Sequence, residues 1–232
     1  MKKLFVSVVL SSLALAATRA DTLANWTFES SFTYINGTTN FALSGLAAEL
    51  GSGTASGWHA STATWSSPAG NGSSHSFSVN TWALGDYFEF QVNTLGFTDI
   101  IVSYDQTRSS TGPATFTFSY GTDGVNFTPF LVDYTVLNNA TVVGPPATAP
   151  WSATTARQSV YTFSFDLSSI TTLKNSPTVF FRVTDDTATG AAGGTVRIDN
   201  FLVSASAVPE PSTLALGLVG GFACLVALRR KR

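Results

Sequence analysis

The sequence predicts an all-β protein whose strands form two antiparallel sheets packed as a sandwich, followed by one C-terminal transmembrane helix. Three observations lead there. Across residues 21–207 no segment sustains an apolar period of 3.6 residues, whereas alternation with period two recurs. The alternating runs are short and divided by connections rich in Gly, Ser, Thr and Asn, as antiparallel strands require and parallel strands with crossover helices do not. Residues 213–228 are uncharged and largely apolar, and four cations follow them.

In chain order the first element is a leader. MKKLFVSVVLSSLALAATRA opens on two lysines, continues with an apolar stretch over residues 4–17 and ends on small residues at Thr18 and Ala20. Residues 1–20 thus read as a secretory signal peptide, cut by signal peptidase after Ala20. The apolar stretch is shorter than the ~20 residues that a membrane span needs.

The ectodomain is expected over residues 21–204. Strands are predicted at 25–29, 76–79 and 87–92, around Ile100, Val102 and Tyr104, and at 115–120, 161–166, 178–184 and 195–204, with weaker ones near Tyr34, near Leu46 and at 130–136. In the run 87–92, Phe88, Phe90 and Val92 point one way and Tyr87, Glu89 and Gln91 the other, so one face is core and the other wetter. Asp123-Gly124 accepts positive φ and predicts a hairpin turn. Residues 166–170 read as one helical turn. Two stretches read as long loops, 51–72 and 138–156, the second with Pro145, Pro146 and Pro150. Roughly ten strands with turn-rich connections favour a sandwich of jelly-roll type. Residues 205–232 form a linker and tail, with the apolar helix at 213–228 and a basic end at 229–232.

Composition and charge exclude several function classes. Charged residues are 11% and aromatics 12%, so the chain lacks the polar, highly charged signature of disorder. Seven of the 12 basic residues lie at the two ends, and residues 21–207 hold thirteen carboxylates against five cations, a balance of −8. Such a body repels nucleic acid, and no nucleic-acid partner is expected. The single cysteine, Cys224, lies in the apolar tail and excludes a disulfide framework or a thiolate zinc site. With two histidines, His59 and His75, and no Gly-x-Ser-x-Gly elbow, nucleophilic hydrolysis is poorly supplied. A glycosidase would draw its two carboxylates from Asp86, Glu89, Asp99 and Asp105, none clustered on one strand. The chain is read as non-catalytic.

The tail is the most specific motif. Val208-Pro209-Glu210-Pro211 precedes the apolar stretch, and Arg229, Arg230, Lys231 and Arg232 follow it. The uncharged stretch of 16 residues makes a helix of about 24 Å, slightly short of a ~30 Å hydrocarbon layer, a gap that snorkelling arginines close. Cations stay cytoplasmic, which places the body on the far side of the membrane. These residues resemble the PEP-CTERM sorting tail of Gram-negative bacteria. The resemblance implies an exosortase partner that cuts at or near the Pro-Glu-Pro box, with residues 214–228 as a transient anchor and the four cations as stop-transfer signal.

The stretch GFTDIIVSYDQTRSSTGPATFTFSYGTDGVNFTPF and the closing GGTVRIDNFLVSASAVPEP resemble jelly-roll ectodomains attached to such tails, and more distantly carbohydrate-binding jelly rolls. That likeness implies a structural calcium ion held by an early carboxylate and a late aspartate, here Glu29 and Asp199, although no cofactor is required. Sugar binding needs flat aromatic faces beside planar hydrogen-bonding groups. Trp58, Trp65 and Trp151 lie in the expected loops and are the ligand-binding candidates. The reading is an exported protein of the cell envelope, extracellular matrix or biofilm that binds or organises polysaccharide. The alternatives are a structural or adhesive matrix protein that binds protein or itself and, third, a polysaccharide-degrading enzyme.

Overall fold

The computed structural model describes residues 20–30, 35–144, 147–187 and 192–208. Residues 1–19 of the expected leader, Tyr34, Pro145, Pro146, Pro209, Glu210, Pro211, the stretch 213–228 and the terminal cations lie outside the described residues, whereas Ala20, the leader's expected last residue, opens the first strand. Among the described residues no helix is long and apolar enough to cross a membrane.

The described chain forms β1 (Ala20–Trp26), β2 (Ile35–Gly37), β3 (Phe41–Ala47), β4 (Leu50–Gly51), β5 (Gly53–His59), β6 (Ala63–Ser66), β7 (Phe77–Trp82), β8 (Tyr87–Val92), β9 (Phe97–Arg108), β10 (Thr115–Gly121), β11 (Thr128–Thr135), β12 (Thr162–Asp166), β13 (Val179–Asp185) and β14 (Ala192–Ala207). The first sheet runs β12-β9-β14-β7-β6-β2, with β1 also on β14 and β4 on β1; the second runs β11-β10-β13-β8-β5-β3. Every strand pairing is antiparallel. The all-β two-sheet sandwich expected from the alternation is therefore present.

Period-two patterning explains how the sheets face each other. Phe88, Phe90 and Val92 of β8 are buried, and their cross-strand partners Val183, Phe181 and Val179 of β13 are buried too. Opposite them stand Ile100, Val102 and Tyr104 of β9. On β14, Ile198 and Phe201 both face the core although they are three residues apart, because the register shifts between Asp199 and Leu202 and Asn200 takes φ +51°. Phe201 then stacks on Phe90 at 3.5 Å and on Tyr104 at 5.3 Å, joining the sheets. Burying each such side chain contributes about 1.5–3 kcal/mol.

The expected loop at 51–72 is corrected: it contains the second residue of β4 and all of β5 and β6. Its small residues are required by contact with indole rings from the first sheet. A Cβ built on Gly57 would stand 2.5 Å from the Trp65 ring and 2.9 Å from the Tyr87 carbonyl oxygen, and one on Gly53 would stand 2.6 Å from Trp26. Gly57→Ala should therefore destabilise the fold by about 1–3 kcal/mol, by overpacking. A urea midpoint unchanged at unchanged slope would show that the Trp65 ring swings aside.

The remaining boundaries hold more closely. Asp123-Gly124 makes the expected turn between β10 and β11, with Gly124 at φ +73° and Asp123 Oδ1 accepting the N–H groups of Val125 and Asn126. The Asn126 side-chain amide, which donates to Asp123 Oδ2 at 2.7 Å, and then those backbone N–H groups hold the Asp123 carboxyl down at about 2. The single helical turn expected at 166–170 falls instead at Thr171–Leu173, and a second sits at Ser159–Tyr161. The ectodomain also ends later than expected. β14 stays paired through Ala207, and the Val208 N–H donates to Gly96 O at 2.8 Å.

Candidate ligand-binding face

Alternation places Tyr87, Glu89 and Gln91 on the outer side of β8, away from the core. Register aligns Arg182 and Ser56 with Glu89, Thr184 and Trp58 with Tyr87, and Phe180 and Thr54 with Gln91. One open face of the second sheet thus gathers residues from β5, β8 and β13. The hairpin after β10 adds Phe127, whose ring meets Phe180 edge-on at 6.5 Å. Gly124 makes room for that corner, since a Cβ there would sit 3.1 Å from the Phe180 ring.

Arg182 is the centre of the face. Its guanidinium carbon lies 3.7 Å from the Tyr87 ring centroid and 3.7 Å from that of Phe127, so aromatic rings cover the cation twice. Its Nε and Nη2 donate to Glu89 Oε2 at 3.1 and 2.6 Å. A planar, bidentate cation on an aromatic face is an arginine property that lysine cannot copy. Trp58 extends the row by stacking on Tyr87 at 6.1 Å and 24°. Partial burial pushes the Tyr87 phenol up despite the nearby arginine, so it remains a donor at neutral pH.

Such a surface offers flat apolar faces beside paired polar groups. Glu89 Oε1 and Arg182 Nη1 make no hydrogen bond among the described residues, which leaves an acceptor and a donor for a ligand. The ion pair neutralises itself, and both side chains are mostly shielded, at 15% and 18% exposure. A polyhydroxylated ring fits this chemistry better than a highly charged ligand.

The three sequence candidates for ligand contact separate. Trp58 lies on the open face and is half-buried. Trp65 is corrected from loop to core: it sits on β6 with no exposure, stacked on Phe77 at 5.4 Å. Trp151 does lie in the loop 138–156, but it is 6% exposed and packs edge-on against Tyr161, with its Nε1–H donating to Ala69 O at 2.8 Å. It fastens one loop to another. Tyr87, Arg182, Phe127 and Phe180 are not among the sequence candidates, although the alternation over 87–92 marks the outward side of Tyr87.

Glu29 and Asp199 meet the same loop from two sides. Glu29 accepts the N–H groups of Ser74 and His75 at 3.2 and 3.1 Å. Asp199 Oδ2 accepts the Asn71 N–H at 2.8 Å and the Ser73 hydroxyl at 2.6 Å, and Oδ1 accepts the Asn200 N–H at 2.7 Å. Both carboxylates accept hydrogen bonds from this loop, whereas calcium takes ~6–8 oxygen ligands, backbone carbonyls included. Among the described residues no three His, Cys, Asp or Glu side chains converge as metal ligands. Burial pushes the Asp199 carboxyl up to about 6. Its cross-strand neighbour Asp105 is held by Arg157 at 2.7 and 2.8 Å, by the Thr162 hydroxyl at 2.6 Å and by Asn200 Nδ2 at 3.0 Å. The cluster fixes the loops that cover the first sheet.

Residues 207–232 match the family model of the PEP-CTERM protein-sorting motif. No curated protein matches the chain in sequence. Among solved structures, the chain is similar to the CBM22-1 xylan-binding domain of Xyn10C from Paenibacillus barcinonensis, at 9% identity over 84% of this chain and 100% of that one, with a TM-score of 0.40. It is similar to TmCBM27, a carbohydrate-binding module that recognises mannan, at 12% identity over 81% and 98% of the two chains and a TM-score of 0.39. The K2 cleaved adhesin domain of Lys-gingipain is a third neighbour, at 19% identity, 82% and 99% coverage and a TM-score of 0.34.

Proposed function

We propose that this chain, which carries a PEP-CTERM sorting tail, is an exported, exosortase-processed protein whose β-sandwich binds or organises extracellular polysaccharide without catalysis. Before processing, the tail anchors it with the C-terminal cations in the cytoplasm and the sandwich outside. The observation that carries the binding reading is Arg182 held between Tyr87 and Phe127, in one row with Trp58 and Phe180 on an open sheet face. The non-catalytic reading is supported by the engagement of the carboxylates that chemistry would need, Glu89 with Arg182 and Asp105 with Arg157.

The test is retention on insoluble and soluble polysaccharides by the mature protein and its variants. Trp58→Ala should weaken binding about tenfold or more, as loss of a stacking platform does, and Arg182→Lys should weaken it by removing the planar stack. Glu89→Gln combined with Asp105→Asn keeps an amide oxygen as acceptor at position 89, so it should weaken retention less than Arg182→Lys does. If Trp58→Ala and Arg182→Lys, both folded, bind like the wild type, the face is not the site. Polysaccharide turnover that disappears in the amide double variant would make the protein a hydrolase or lyase instead.

An adhesive, self-associating role is the second reading. It is favoured by the edge strand β11, where Phe130, Leu131 and Val132 are exposed at 39%, 39% and 58%. Pro129 and the positive φ of Asp133 disrupt that edge as a template for pairing. Concentration-dependent oligomers that Val132→Lys abolishes would favour this role.

A further inference from the structure

Both ends of the described chain leave the sandwich at the same end. Ala20 pairs with Ser206, Ala207 pairs with Phe97, and the Val208 N–H donates to Gly96 O at 2.8 Å. The turn at 93–96 is fastened to its neighbour. Gly96 N–H donates to Asn175 Oδ1 at 2.8 Å, Asn175 N–H to Phe97 O at 3.0 Å, and Ser176 N–H to Thr94 Oγ1 at 3.0 Å. The β10–β11 hairpin lies at this end too, because Gly121 pairs with Phe180 and Phe180 with Gln91. This rim exposes Leu95 by 49%, Val125 by 78% and Val208 by 46%.

The length of chain beyond the rim limits where it can sit. Only residues 209–213 separate Val208 from Leu214, the first apolar residue of the tail's hydrophobic run. Six Cα-to-Cα steps reach about 20 Å at full stretch. The polar headgroup layer takes up roughly 5–7 Å of that. The rim therefore stays within about 15 Å of the headgroups as long as the tail is anchored. Unpairing the last strand would lengthen the tether, but it would break hydrogen bonds to β1 and β9 together.

We propose that the end of the sandwich formed by the turns at 93–96, 122–125 and 174–177 rests on the lipid surface in the unprocessed protein. This goes beyond glycan binding and rests only on the tail acting as an anchor. The strands then stand along the membrane normal, and the row from Trp58 to Phe180 faces sideways, where polymer strands in the envelope can reach it. Asp21, Asp99 and Asp123 outnumber Lys174 at this end, and Asp99 already pairs with Lys174 at 4.0 Å. A zwitterionic lipid surface suits that charge better than an anionic one.

The experiment uses the chain with its tail, leader removed, in a Cys224→Ala background and reconstituted into phosphatidylcholine vesicles carrying headgroup nitroxides. A fluorophore is attached at Leu95→Cys, at Val125→Cys or, on the opposite end of the sandwich, at Leu84→Cys, where the native leucine is 66% exposed. All three should float with the vesicles, with fluorescence quenched several-fold more at positions 95 and 125 than at 84. A twelve-residue Gly-Ser insertion between Val208 and Pro209 should bring the quenching at 95 down to the level at 84. Flotation with equal quenching at 84 and 95 overturns the orientation, and undiminished quenching after the insertion overturns the short tether as its cause. Failure to float overturns the anchor itself.

Discussion

Trp65→Ala should come close to unfolding the protein, while Trp58→Ala, a few residues away, should leave its stability nearly intact. Trp65 has no exposure and packs against His59 at 5.0 Å, Phe77 at 5.4 Å and Phe88 at 6.2 Å. Removing such a ring costs about 3–5 kcal/mol, a large part of the ~5–15 kcal/mol that holds a domain folded. The buried Trp65 Nε1 has no hydrogen-bond partner among the described residues, so the cost is lost packing and not a lost hydrogen bond. Trp58 keeps part of its surface in water and loses mainly its contact with Tyr87. Urea denaturation of the two variants measures the contrast. A further substitution tests the mechanism, because Gly57 faces the Trp65 ring at 2.5 Å from a built Cβ. Gly57→Leu should be strongly destabilising alone but restore part of the loss in Trp65→Ala, a coupling that independent sites do not show. Equal midpoints for Trp58→Ala and Trp65→Ala would place Trp65 outside the core.

That contrast also marks what could be read in the sequence. Strands whose inward residues are large, such as Phe88, Phe90 and Val92, declare themselves by alternation, and β8 begins and ends where the pattern does. β5 alternates equally well in the structure, with Ala55, Gly57 and His59 inward. Gly53 and Gly57 are small because Trp26 and Trp65 fill the space from the other sheet, and a hydrophobic pattern cannot register a partner's bulk. The open face was half legible for a related reason. Outward positions of β8 follow from parity alone, but the meeting of Arg182 with Tyr87 and Phe127 depends on strand order and on where the hairpin folds back. Asp199 is named in the sequence only through the resemblance, as a calcium ligand, and its partners in the structure are N–H and O–H groups of a loop that pattern reading cannot place.

Acidification should expose a balance between buried groups of opposite kind. His59 lies without exposure between Trp65 and Trp82, at 5.0 and 4.4 Å, with Nδ1 3.3 Å from both Thr81 O and Asp86 Oδ2. Burial lowers it to about 4, more than the hydrogen bond to Thr81 raises it. As pH falls from 6.5 to 4 the unfolded chain takes up a proton that the folded chain refuses, so stability is lost, by about 3 kcal/mol for this group. Asp185 and Asp199 act in the opposite sense. Burial raises both to about 6, so the folded chain takes their protons first and gains about 2 kcal/mol from each on the way down to pH 4. Asp86 is raised by burial as well, though the N–H groups of Ala60 and Ala83 hold it back. The wild type should therefore keep or increase its stability between pH 6.5 and 4. His59→Asn, whatever its stability at pH 7, should gain about 3 kcal/mol more than the wild type over that interval, because only the acidic groups remain to titrate. Asp199→Asn should lose about 2 kcal/mol of the gain from the acidic groups, leaving the His59 loss roughly balanced by Asp185 and Asp86. Urea unfolding at half-unit pH steps measures all three, and parallel stability curves for wild type and His59→Asn would mean that His59 protonates as readily in the fold as in the unfolded chain.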